Sequence, residues 1–142
     1  MVCGDVLASN QDNTPMPLDF EHDDQRRLVT ITVTEPYSPE DLVAAIERLA
    51  HEDLWEYAAF YDLRGTTRLP NEGDLEQIAD RVKAVGSGRE RGPVGIAIRA
   101  QPALFLASLT YTHLTKEFMV VEVLLTSAQV DAWMARNAQR RT

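Results

Sequence analysis

A single cysteine, Cys3, is present. That scarcity excludes an internal disulfide and any zinc site built from cysteines. No apolar run approaches the ~18 residues of a membrane helix. The first residues, Met1 to Leu7, have neither the basic region nor the long apolar stretch of a secretory signal. Basic residues are the minority, with 14 Lys and Arg against 22 Asp and Glu and a formal net charge of −8. Nucleic-acid binders need a basic footprint to displace counterions, so this balance argues against a general one. The three histidines, His22, His51 and His113, form no His-x-x-His or His-x-His pair, and no Gly-x-Ser-x-Gly elbow occurs. The expectation is a cytoplasmic protein with no membrane span, no nucleic-acid partner, no metal and no cofactor.

What remains is ordinary globular composition. The chain has 142 residues, 44% hydrophobic and 25% charged, enough for one domain with a sizeable core. Residues 1–16 are polar and punctuated and predict a flexible N-terminal arm. Residues 17–137 predict a single α/β domain, and 138–142 a short basic tail.

Within the domain, Leu18, Phe20 and His22 alternate with acidic residues, and Val29, Ile31 and Val33 alternate with threonines. Two such runs joined by a polar turn predict a hairpin. Ser38-Pro39-Glu40-Asp41 starts a helix: a capping hydroxyl, a proline at the first position, and acids that suit the dipole. Ala58 to Leu63 and Val94 to Ile98 read as strands buried on both faces. Between them, Leu75, Ile78, Ala79, Val82 and Val85 recur at helical spacing, closed by Gly86 and Gly88. A third helix is predicted over 102–116, a fifth strand over 118–125, and a last helix capped by Ser127, with Val130, Trp133 and Met134 as its apolar stripe. The prediction is an α/β fold: a mostly parallel five-stranded sheet with an antiparallel first strand and four helices.

Ligands of parallel sheets bind outside the carboxyl ends of the strands, where helix N-termini offer free N–H groups to anions. The residues delivered there include Tyr37, Asp62, Arg64, Arg68 and Arg99. The arginines could fork onto a carboxylate or phosphate, with Asp62 and Tyr37 orienting it; the plainer reading is that Asp62 pairs with Arg64 or takes backbone N–H bonds in the turn, and that the arginines are solvated. Gly86-Ser87-Gly88-Arg89-Glu90-Arg91-Gly92 is a poor phosphate loop, because it follows a helix instead of a strand; it predicts a helix end and a turn. The third helix is apolar around most of its circumference. Phe105 and Tyr111 are therefore candidates for contact with a ligand, a protein partner or a second subunit.

Three short motifs then resemble the bacterial SpoIIAA-like family, related to the STAS domains of anti-sigma-factor antagonists. They are Arg27-Leu28-Val29-Thr30-Ile31, Tyr61-Asp62-Leu63-Arg64, and Ala128-Gln129-Val130-Asp131-Ala132-Trp133-Met134. The resemblance spans roughly residues 18–136 and implies a four-unit strand–helix fold with no established catalytic residues. Control by a serine kinase in the usual STAS place is not expected. The family's Asp-Leu-Ser is Asp62-Leu63-Arg64 here, and its Asp-Ser-Ser-Gly falls on Pro70-Asn71-Glu72-Gly73. The functional expectation is a non-enzymatic, STAS-like module. It would bind a small anionic, amphipathic or lipid-like ligand, or a protein partner, at the strand ends. The alternative is a small hydrolase or transferase with Asp62 as base beside Arg64. The acidity is uneven: residues 1–63 hold 14 acidic and 3 basic residues, whereas 64–142 hold 8 and 11.

Overall fold

Alternating apolar and polar residues at the start of the domain form a hairpin of β1 (Leu18–Asp23) and β2 (Leu28–Val33), paired antiparallel with Phe20 opposite Ile31. The Asp23 carboxylate closes the turn by accepting the Gln25 and Arg26 N–H groups at 3.0 and 3.2 Å. Val29, Ile31 and Val33 are fully buried. The computed structural model describes residues 18–138. The predicted arm 1–16, Cys3 with it, and tail residues 139–142 lie outside the described residues.

Three helix–strand units and a final helix follow: α1 (Pro39–His51), β3 (Ala58–Asp62), α2 (Glu72–Val85), β4 (Val94–Ala97), α3 (Pro102–Thr115), β5 (Val121–Leu124) and α4 (Ser127–Asn137). Helix α1 begins with a reciprocal capping box between Ser38 and Asp41. Asn71 caps α2 by accepting the Asp74 N–H at 2.8 Å. The sheet order is β1-β2-β3-β4-β5, and every pair after the first is parallel. This is the predicted α/β architecture.

Successive strand residues point to opposite faces, and the two faces carry different helices. One core packs Val29, Ile31, Val33, Val94 and Ile96 against residues of α1, α2 and α3. The other packs Phe60, Ala97 and Leu124 against Val130 and Trp133 of α4. Gly95 makes the second contact feasible: a Cβ there would lie 2.7 Å from the Trp133 ring. The small residues of this strand therefore admit a helix, as their size predicts.

Three local expectations shift, and a fourth holds for a different reason. The last helix is capped by Thr126, which accepts the Gln129 N–H at 3.1 Å, and Ser127 is already its first residue. The fifth strand starts at Val121 because Phe118 and Met119 both donate their N–H groups to Thr115 O, closing the turn after α3. The fourth strand ends at Ala97, although the Ile98 N–H still reaches Leu124 O. Gly86 closes α2 with an ordinary φ of −89°. Glycine is needed there for space, since a Cβ would meet the Trp55 ring at 2.5 Å.

Candidate functional site

The five residues expected to share one ligand at the strand ends are divided. Asp62 and Arg64 form a bidentate pair, with Arg64 Nε and its terminal nitrogen 2.9 and 3.0 Å from the two carboxylate oxygens. This bond holds the Asp62 carboxyl below its usual range. The Arg64 guanidinium stands 6.0 Å from the Phe60 ring, on the α4 side of the sheet. Arg99 donates its Nε–H to Arg64 O at 2.8 Å. Tyr37 and Arg68 line a groove between the N-terminal ends of α1, α2 and α3 that the other three do not line, although Arg99 is near enough to act on the groove's Glu35. The Tyr37 hydroxyl donates to Arg68 O at 2.7 Å, and burial pushes it up to about 12.

That groove, of about 840 Å³, is acidic: Glu35, Glu72 and Asp74 face it, with Arg68 as its arginine. Glu35 is held in place by the Thr67 N–H at 3.0 Å, a bond that also lowers its carboxyl pKa. A cleft at strand ends arises where strand order reverses. This sheet runs in chain order throughout, so the rim lacks the split that makes such sites deep.

A second cavity, of about 70 Å³, lies inside the core between the sheet and the α2–α3 pair. Its walls are mostly apolar, with Leu63, Leu75, Ile78, Ile96 and Met119 among them. Five polar or amphipathic side chains also line it: Trp55, Tyr61, Arg91, Ser108 and Tyr111. Trp55 is 3% exposed and Ser108 2% exposed. Trp55 Nε1 and Ser108 Oγ are both buried without a hydrogen-bond partner. Such orphans are rare, because leaving a buried polar group unpaired costs about 1–3 kcal/mol. Burial raises the pKa of both the Tyr61 and Tyr111 hydroxyls, so both stay protonated near neutrality.

Tyr111 was expected on an outward contact surface. It instead packs inward on the main core and lines this cavity. The helical turn explains the difference: Phe105, Leu106 and Leu109 form the exposed stripe of α3, with Leu106 64% exposed, and Tyr111 falls on the opposite side. Phe105 does lie on the exposed stripe.

Sequence reasoning missed Trp55, Arg91 and Ser108. Trp55 sits in the turn after α1, where a large apolar residue is a signal in itself. Arg91 arrives through the glycine-bearing turn that was read as a link between elements. Its guanidinium donates to Trp55 O at 3.0 Å and lies 4.7 Å over the Trp55 ring. Ser108 carries no local signal. Leu69, Pro70, Leu75 and Ala107 line both the cavity and the groove, and so form the partition between them.

Among the described residues, no group of three or more His, Cys, Asp and Glu side chains is gathered to hold a metal, and no helix is long and apolar enough to cross a membrane. Asp62 lines neither the cavity nor the groove.

Fold and cavity together describe an α/β domain with a polar-studded hollow under one helix. No family model matches the chain, and no solved structure matches it. The chain is similar to the HTH-type transcriptional repressor SCO4008 of Streptomyces coelicolor, with 33% identity over 93 residues. The alignment takes in 58% of this chain and 46% of the repressor, so the chain spans less than half of that relative. These findings overturn the resemblance to the SpoIIAA-like family. Its motifs fall on short strand and helix segments, and the similarity found is to part of a repressor instead. Among the described residues every two successive helices are separated by a strand, so a helix-turn-helix pair does not lie in this part of the chain.

Proposed function

We propose that this domain is a non-enzymatic sensing module that takes a compact, largely apolar molecule into the cavity beneath α3. The observation that carries the reading is the pair of unpartnered buried atoms, Trp55 Nε1 and Ser108 Oγ, in two residues that line one apolar cavity. Apolar lining with a few convergent polar groups is the usual make-up of a small-molecule site. A ligand offering acceptors would satisfy both atoms and recover the cost of leaving them bare. Similarity to a repressor fits a regulatory role for such a module, with any DNA contact made outside residues 18–138.

The geometry favours binding over catalysis. The carboxylate considered as a base, Asp62, is tied to Arg64 and held at a lowered pKa, which makes it a weak base. Burial keeps the cavity's tyrosines protonated and leaves no ready nucleophile.

The test is Trp fluorescence and thermal melting of the full chain with compact neutral probes such as isobutanol and 2-propanol. Saturable binding that raises the melting temperature, and that Ser108→Leu abolishes by filling the cavity, is the expected result. Binding left intact by Ser108→Leu would place the ligand elsewhere.

A further inference from the structure

The ligand class follows from the charge in the cavity wall, given the sensing role proposed above. Arg91 is half-buried, and its guanidinium has no ion-pair partner among the described residues. Its guanidinium donates to two neutral carbonyls, Trp55 O at 3.0 Å and Tyr57 O at 3.5 Å. Arg48, Arg64, Arg81, Arg89 and Arg136 each have a carboxylate, and Arg99, which bonds a carbonyl as Arg91 does, is exposed to solvent. A partly desolvated cation without a counter-charge is costly. Beside it, 4.7 Å away, lies the Trp55 ring, whose N–H is a donor only and is itself unpaired. Both residues line the same hollow, and no acidic side chain in its wall supplies a negative acceptor.

We infer that the molecule bound here is a small carboxylate, its anionic group answering Arg91 and Trp55 Nε1 and its short apolar body filling the space under Ser108 and Ala107. The volume limits its size. At about 70 Å³ the cavity is roughly half of the ~150 Å³ that accommodates benzene in an engineered core. Acids of two to four carbons fit it; longer ones must displace the Leu69–Pro70 partition and push their apolar tail into the polar, acidic groove of Glu35, Glu72 and Asp74. The rim arginines Arg64 and Arg99 take no part.

Calorimetry on the full chain with butyrate, butyramide and hexanoate tests this. Butyrate is expected to bind at least tenfold tighter than its neutral isostere butyramide, and tighter than hexanoate. Arg91→Lys should retain part of that preference and Arg91→Met should abolish it, with circular dichroism confirming the fold. If Arg91→Met does not fold, the comparison of butyrate with butyramide on the unaltered protein still decides. Equal binding of the two overturns the carboxylate assignment and leaves the sensing role standing. No binding of either, together with no binding of the neutral probes, means a cavity occupied by solvent only and overturns both. Tighter binding of hexanoate overturns the size limit and assigns the groove to the ligand's tail.

Discussion

Asp62 and Arg64 neutralise one another through two parallel N–H···O bonds of 2.9 and 3.0 Å. The pair joins residues two apart at the end of a strand, so it forms without help from other elements. It turns the most conspicuous charged motif of the sequence into a local brace.

This pair predicts a pH dependence. The Asp62 carboxyl is lowered in the fold, chiefly by Arg64, from its ordinary 3.8. A lowered acid stabilises the fold above its unfolded pKa and loses that contribution as pH falls through the folded value. Arg64 is 44% exposed, so solvent screens the pair and its worth is about 0.5–1 kcal/mol. Asp62→Asn should cost that much at pH 7 and progressively less below pH ~4. Urea melts at both pH values measure it, and an equal cost at pH 2.5 would contradict the assignment.

Gly95→Ala should be among the most damaging small substitutions. The added methyl collides with Trp133 in a rigid, buried contact, and overpacking of this kind costs about 1–3 kcal/mol. Pairing it with Trp133→Leu, which frees space, should recover part of the loss. Denaturant midpoints of the single and double variants decide it.

Ser38→Ala removes one half of the capping box of α1 and should cost about 1 kcal/mol. Asp41→Ala removes the other half. Because the two bonds are reciprocal, the double variant should lose less than the two single losses combined. Thermal melts of the three variants supply the comparison.

Asp53 adopts a φ of 63° just after α1, the left-handed region where glycine carries no steric cost. Its side chain is 96% exposed and only 3.5 Å from Arg89 at closest, so little is lost with it. Asp53→Gly should be neutral to stabilising by about 0.5 kcal/mol. A clear drop in melting temperature would show that the Arg89 contact matters more than the backbone.

Ser108→Ala deletes a buried hydroxyl that has no partner. In the free protein it should raise stability by up to about 1 kcal/mol, the reverse of the usual effect of trimming a core side chain. A destabilised variant would show that the hydroxyl is satisfied in solution.

Much of the architecture was legible from residues close together in the chain. The alternation of Val29, Ile31 and Val33, the cap at Ser38 and the helical spacing of Leu75, Ile78 and Val82 each express a local period or a local hydrogen bond. Such signals need no knowledge of what packs opposite. The cap at Thr126 and the end of the strand at Ala97 were misplaced by a residue because adjacent residues offer nearly equivalent chemistry there.

Local pattern thus determined the element order, the buried strand faces and the α/β class of this protein. Only the tertiary structure decided where a ligand could bind. Arg91 meets Trp55 across 36 positions of sequence, and Ser108 joins them from a third element. Desolvation made these residues important, and desolvation is a property of the surroundings that no single residue carries. The arginines at the strand ends looked more promising in sequence, yet they lie exposed, Arg64 with its carboxylate in place, while Arg91, hidden in a turn, is left half-buried without one.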